Sequence, residues 1–345
     1  FSDNDSARED DKENQKRKRE KVVDKWKEVT GKWKKYIKNK NNKPSSQHSE
    51  PTLSDREEVG KQELLEKMQH RPSICLQPLK ECADLGLSFS GCGFLGLYHC
   101  GVVKCFLRNG GPLLSRLRRV SGASAGSLVA ALFLLAHEDI DRGVQSFYDL
   151  ADELNALKFG ALSPGFYLAD RLVNIVDSIL PDDVTPANDK LFISLTNHKT
   201  RQNRLVSAFP DREYLIKCLN ASCYIPMYSM GLRAPPPEID GESYIDGGYS
   251  NNLPDYADMR TITISPFCSK CDISPADPSR SGADWNMTLG NQILKVNLRN
   301  IVRGAQALFP PQKESLKHFY EQGYKDAFRF LFDNDLLQRP VGSSV

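Results

Sequence analysis

Gly122-Ala123-Ser124-Ala125-Gly126 is a Gly-x-Ser-x-Gly stretch, the spacing with which a fold presents a nucleophilic serine on a sharp strand-to-helix turn. The serine hydroxyl must stand clear of the backbone, and flanking glycines let neighbouring segments pass close without Cβ clashes. Arg119-Val120-Ser121 reads as the strand before it, and Leu128 to Leu135 as the helix after it. Five such residues alone also fit a glycine-rich helix cap. Upstream, Leu85 to Ser90 alternates like a buried strand and breaks into Gly91-Cys92-Gly93-Phe94-Leu95-Gly96, with a helix continuing through Leu97 and Phe106. A glycine-rich loop that opens a helix offers unpaired N–H groups and the positive end of a dipole, suited to a phosphate or to an oxyanion. Its Gly-x-Gly-x-x-Gly spacing also fits a dinucleotide site, which needs an acidic residue about 20 positions on. No Asp or Glu occurs between Gly91 and Glu138, and the chain there is basic at Arg116, Arg118 and Arg119, so that reading fails. Tyr244-Ile245-Asp246-Gly247-Gly248 then puts a carboxylate on a tight turn. Alone, Asp-Gly is an ordinary turn signal; beside the other two elements, Asp246 becomes a candidate base for Ser124.

In this order and spacing, the three elements resemble the patatin-like phospholipase domain family, and within it the adipose triglyceride lipase-like subgroup. Cys223-Tyr224-Ile225-Pro226, Asn251-Asn252-Leu253-Pro254, Thr261 to Phe267 and Ala307 to Pro311 support the resemblance, which spans roughly residues 84–335. It implies a three-layer α/β sandwich around a central, mostly parallel sheet. It also implies a catalytic dyad, with Ser124 as nucleophile and Asp246 as general base, and an oxyanion hole from Gly91, Cys92, Gly93 and Ala125. Gly96, Gly122, Gly126, Gly247 and Gly248 are the motif glycines. A triad would place its histidine after the acid. The single histidine there, His318, lies in an amphipathic pattern that reads as a surface helix face. Many patatin-like proteins carry a cation in the glycine-rich loop where this chain has Leu95, and the lipase subgroup shares that lack.

The elements that must position these residues follow in order. Glu138–Leu157 and residues 167–180 read as helices, Leu191–Thr196 and Arg204–Ala208 as strands, and Asp211–Leu219 as a helix. The stretch from residue 137 to residue 190 is where a cap over an acyl-binding groove would be built. Nine cysteines form no regular framework, which fits reduced thiols in a cytosolic setting. Cys268 and Cys271 have metal spacing without a second pair, and read instead as solvent-near loop thiols. No metal and no cofactor is expected.

Residues 1–80 fall outside the resemblance and read as a charged, largely disordered extension. Of the net charge of +2, they contribute about +5 and the remainder about −3. Between Lys12 and Lys43, fourteen basic residues face four acids, and Val22, Val23, Trp26, Val29, Trp33 and Ile37 recur at helical spacing. A basic amphipathic helix near 22–38 would lie in a membrane interface; a helix docked on the catalytic domain and a solvated tail are the alternatives. No apolar run approaches the length needed to span a bilayer, so any lipid contact is expected to be peripheral.

The expected function is hydrolysis of long-chain acyl esters of neutral glycerolipids, triacylglycerol first, by a cytoplasmic enzyme on lipid droplets or membranes. A protein co-activator is a candidate partner. Phospholipase A, retinyl-ester hydrolase or transacylase activity is the alternative within the fold, and a lipid-surface scaffold with little activity is the alternative outside enzymes. Nucleic-acid binding would need a reader module that the sequence lacks.

Overall fold

Leu85-Gly86-Leu87-Ser88-Phe89 is buried at every position, as a strand covered on both faces must be. This strand, β1 (Leu85–Phe89), is central in a computed structural model that describes residues 78–163, 165–230, 234–276, 286–289, 291–295 and 298–338. A short 3-10 turn (Gly93–Leu95) leads into helix α1 (Gly96–Asn109), followed by α2 (Gly111–Leu114), β2 (Leu117–Ala123) and α3 (Ala125–Leu135). Then come α4 (Ile140–Ala156), α5 (Leu168–Ile179), β3 (Leu191–Asn197), β4 (Asn203–Val206) and α6 (Arg212–Ser222). Strands β5 (Glu238–Ile239), β6 (Glu242–Asp246) and β7 (Arg260–Ile264) complete the main sheet. A hairpin of β8 (Asn286–Leu289) and β9 (Gln292–Lys295) precedes helices α7 (Leu298–Leu308) and α8 (Lys313–Asp333).

Strands β7, β1, β2 and β3 run parallel, and β4, β6 and β5 add antiparallel pairs. Helices flank this mixed sheet, in keeping with the expected α/β sandwich. The sequence-read elements fall within a few residues of their observed bounds. Helix α6 runs three residues past its expected end, and Asp211 caps it by accepting a bond from the Tyr214 N–H at 2.7 Å.

Strand β3 decides how the motifs meet. Ile193 and Ser194 pair with β2 on one edge and β4 on the other; Leu195 and Thr196 pair with β4 and β6. A strand has only two edges, so β2 and β6 lie on the same edge of β3, one after the other. They run in opposite directions and meet end to end: Ala123 closes β2 opposite Ser194, and Asp246 closes β6 opposite Leu195.

Cys268 does not match the expected exposed thiol. It is buried and its S–H donates to the Pro275 carbonyl at 3.0 Å, while Cys271 accepts from Ser269. The apolar flanks Phe267 and Ile273 draw this loop into the core. The basic pattern between Val22 and Ile37, and nearly all of the 1–80 extension, lie outside the described residues.

Helices α1 and α8 touch backbone to backbone. A Cβ on Gly323 would stand 2.0 Å from the Tyr98 carbonyl oxygen, and one on Gly101 2.0 Å from that of Tyr320. Gly323→Ala is therefore expected to destabilise the protein by about 1–3 kcal/mol through forced separation of the pair, even though alanine favours helix. Urea denaturation checks this; a midpoint at or above the wild-type value would mean the two helices part freely.

Candidate active site

Ser124 stands at φ 52° and ψ −130°, a left-handed conformation that a side chain rarely adopts. The strained turn follows from crowding on both sides. Helix α3 leaves the turn so close to β1 that a Cβ on Gly126 would sit 2.3 Å from the Phe89 carbonyl oxygen. The turn is also held from below: the Ser124 N–H donates to Ser222 Oγ at 2.9 Å, and Ser222 Oγ donates to the Ser194 carbonyl at 2.8 Å. Ser222, at the end of α6, thus locks the serine's backbone to β3.

Asp246 is fixed as firmly. Its N–H donates to the Tyr224 carbonyl at 2.9 Å, and its carbonyl accepts from Thr196 Oγ1 at 2.8 Å. Its carboxylate, 6% exposed, accepts from the Gly248 N–H at 2.7 Å and lies beside the Ser124 hydroxyl. Burial pushes this carboxyl up to about 6, against the Gly248 N–H and the neighbouring Ser124 hydroxyl, which hold it down. The Cys223 thiol also neighbours Ser124, and burial and the Asp246 charge push it upward and so keep it protonated. Sequence reading left Ser222 and Cys223 without a role at the site, since nothing local in their spacing marks contacts made through β3.

The glycine-rich loop arches over the serine. A Cβ on Gly91 would lie 3.1 Å from Ser124 Cβ, and Gly93 shares a cleft wall with Ser124 and Ala125. Gly93 adopts φ 52° and abuts α7, where a Cβ would meet the Ala307 carbonyl oxygen at 2.0 Å. The Gly91 N–H is already engaged, donating to the Asn252 carbonyl at 3.3 Å. Of the four groups expected to hold an oxyanion, Gly91 therefore anchors the loop, which leaves Cys92, Gly93 and Ala125. Asn252 Nδ2 reaches back to the Gly91 carbonyl at 3.5 Å and donates to Gln292 Oε1 at 2.7 Å; Gln292 Nε2 donates to Ser265 Oγ at 2.7 Å. This buried polar chain ties the loop to β9 and the end of β7. Gln292 carried no sequence signal, because it lies forty residues from its partner in a stretch without motif character.

Among the described residues, neither His99 nor His318 joins the pair. His99 is fully buried under the loop, with Nε2 2.9 Å from the Ser90 carbonyl, and desolvation lowers its pKa to about 4, so it is neutral. His318 is exposed on α8, as its spacing implied. Among the described residues, no three His, Cys, Asp or Glu side chains gather as a metal ion would require.

From Ser124 and Ala125 a narrow apolar cleft opens between α3, α4, α5 and α7. The cap expected between residues 137 and 190 is there as α4 and α5, whose Phe147, Leu150, Leu168 and Leu172 line it. Across the cleft the Tyr228 hydroxyl donates to the Leu308 carbonyl. Leu95 is fully buried, so a cation at that position would have to enter the core.

A family model for patatin-like phospholipase matches residues 87–255. Over 255 residues the chain is 42% identical to human patatin-like phospholipase domain-containing protein 4, covering 74% of this chain and 99% of that relative. The chain belongs to the patatin-like phospholipase family. It is 38% identical over 255 residues to human patatin-like phospholipase domain-containing protein 2, covering 74% of this chain and 49% of that protein. It is 36% identical over 259 residues to human 1-acylglycerol-3-phosphate O-acyltransferase PNPLA3, covering 74% of this chain and 52% of the relative. Against these two the matched region spans about half the relative's length.

A buried carboxylate with a raised pKa costs folding free energy at neutral pH, here about 3 kcal/mol for a rise of roughly two units. Between about pH 6 and pH 4 the folded state takes up the proton first, and the cost disappears. Asp246→Asn is therefore expected to raise the urea midpoint near neutral pH, with the gain shrinking toward about pH 4. A midpoint that drops at neutral pH would show that the carboxylate is a net structural anchor.

Proposed function

We propose that the protein is a serine lipase that cleaves long-chain acyl esters of neutral glycerolipids, triacylglycerol foremost, at a droplet or membrane surface. The observation that carries this reading is the Ser124–Asp246 contact at the head of a cleft lined by hydrocarbon. Asp246 takes the proton from Ser124 Oγ as that oxygen attacks the ester carbonyl. The tetrahedral oxyanion is held by the N–H groups of Cys92 and Gly93 in the loop and of Ala125 at the head of α3. The alcohol leaves with the proton from Asp246, and water, activated by the same carboxylate, then hydrolyses the acyl-serine. Because the carboxylate alone serves as base, its burial matters: a pKa near 6 makes it a stronger proton acceptor than an ordinary carboxylate.

The neutral-lipid preference rests on the cleft's lining, which holds no lysine or arginine among the described residues, so no cation stands there to hold a phosphate. The acyltransferase name of one relative favours a second reading, in which a glyceride or lysophospholipid hydroxyl replaces water at the acyl-serine. Attachment to the lipid surface is peripheral in this reading; among the described residues no helix is long and apolar enough to cross a membrane.

Ser124→Ala is expected to lower hydrolysis of emulsified triacylglycerol at least about a thousandfold and to abolish fluorophosphonate labelling, with the fold intact. Retention of more than about a tenth of the activity would sink the nucleophile assignment. Adding monoacylglycerol or lysophosphatidate as acceptor separates hydrolysis from transfer: acyl products on the acceptor at the expense of free fatty acid would favour the second reading.

The base makes its own pH signature. For a soluble ester, kcat/KM should fall about tenfold per unit below about pH 6 as Asp246 takes up its proton, and stay level above it. An acid limb centred near the ordinary carboxylate range, or its persistence in Asp246→Asn, would assign the base elsewhere.

A further inference from the structure

Phe159, Leu162 and Tyr167 are 52%, 44% and 45% exposed, three of the seven large apolar side chains so open to solvent among the described residues. All three fall in the connection between α4 and α5, the cap helices whose Phe147, Leu150, Leu168 and Leu172 line the cleft. The local backbone puts the first two on one face. Gly160–Leu162 is a 3-10 turn opened by Gly160 at φ 55°, and the Leu162 N–H donates to the Phe159 carbonyl at 3.2 Å. Side chains three apart eclipse in that geometry, so Phe159 and Leu162 stand together outside, while Ala161 between them is buried. The Phe166 N–H donates to the Ser163 carbonyl at 3.1 Å and brings the chain round to Tyr167, next to Leu168 at the cleft wall. Ala161, Phe166 and Leu168 pack into the core beneath, with Phe94 and Phe147, and hold the connection in place. Single exposed apolar residues are normal on a surface; a cluster on an anchored turn marks a contact.

We propose that this connection is the surface by which the protein settles on a neutral-lipid droplet, with Phe159 and Leu162 inserted among its hydrocarbon and Tyr167 at the cleft rim. The inference rests on the lipase reading of Ser124 and adds the face on which attachment occurs. Position and charge name the occupant. The patch adjoins the wall of the cleft at Ser124, so a lipid surface that covers it brings its esters beside the serine. From Asp149 to Arg171 the chain carries Lys158 and Arg171 against Asp149, Asp152, Glu153 and Asp170, and Arg171 is paired with Glu153 at 2.6 Å. That excess of acid repels an anionic bilayer, whereas an uncharged lipid surface asks only for apolar area. The two cations flank the aromatic rings: Lys158 Nζ is 5.6 Å from the Phe159 ring centre, and Arg171 Cζ is 5.9 Å from that of Phe166. Their long stems let the charges stay in water while the apolar side chains beside them enter lipid.

The test compares emulsified triolein with p-nitrophenyl butanoate below its solubility limit, on the full chain with Ser124→Ala as blank. Phe159→Glu combined with Leu162→Glu should lower the triolein rate at least about tenfold and leave the soluble ester within about twofold. Phe159→Ser with Leu162→Ser is the milder pair should the charges prevent folding, and it shifts the ratio of the two rates in the same direction. An unchanged ratio in the folded variants overturns the proposal, as does equal loss on both substrates, which would make these residues supports of the cleft. A second arm needs no turnover: in the Ser124→Ala background, flotation with triolein droplets coated in phosphatidylcholine should fall at least about threefold on adding either pair. The drop should not grow when phosphatidylserine joins the coat; growth would overturn the assignment to neutral lipid. Unmoved flotation, with light scattering that shows a dimeric parent become monomeric in the variants, would mean that a second copy covers the face, and the proposal falls. Reduced flotation in the variants of a parent without Ser124-dependent hydrolysis would reject the lipase reading and keep the docking surface.

Discussion

The edge of β3 that carries both β2 and β6 is the constraint on which the site depends. Two strands that approach from opposite directions and share one edge must stop short of each other, and each stop is a turn. One turn holds Ser124, the other Asp246, and consecutive residues of β3, Ser194 and Leu195, fix their separation. Two side chains placed by hydrogen-bond registry on one strand need no flexible loop to bring them together. The proposed reading of Ser124 and Asp246 as a pair depends on this placement. The same strand supplies the supports: the Ser194 carbonyl accepts from Ser222, which holds the Ser124 N–H, and Thr196 holds the Asp246 carbonyl.

Burial of the carboxylate follows from this arrangement and gives it chemical use. The end-to-end junction lies beneath the glycine-rich loop and beside Cys223, with little room for water around Asp246. Desolvation raises its proton affinity, while the Gly248 N–H and the Ser124 hydroxyl keep the anion accessible. In the proposed reaction, the fold trades stability at neutral pH for basicity at Asp246.

Much of this was legible in the sequence because it is local. The turn at Ser124, the loop at Gly91–Gly93 and the turn at Asp246 each announce themselves by glycines at fixed spacing, and helical periodicity located α4 and α5 to within two residues. What was not legible depends on distant approach. The contact of α1 with α8 rests on Gly101 and Gly323, each an unremarkable glycine in its own helix until the other arrives. Gln292 and Asn252 meet across forty residues of chain, and the Gly91 N–H, which the motif alone makes an oxyanion donor, turns out to face the Asn252 carbonyl. Cys268 was misread for a similar reason: short Cys-x-x-Cys loops with serine and lysine look exposed, and only the packing of Phe267 and Ile273 shows the loop turned inward.

Rigidity at the chemistry and apolar space beside it are two consequences of one division of labour. The polar bonds that fix the dyad come from β3, α6 and the chain around Asn252, whereas the cleft is walled mainly by α3, α4 and α5, whose facing side chains are hydrocarbon. Helix α3 belongs to both sets. Its first turn carries Ala125, beside Ser124, and its next turn carries Leu128 into the cleft. A single helix therefore sets the position of Ser124 relative to the cleft. Residues on that helix can change the cleft only by changing its wall, because moving the helix would move Ala125 off the serine's own turn.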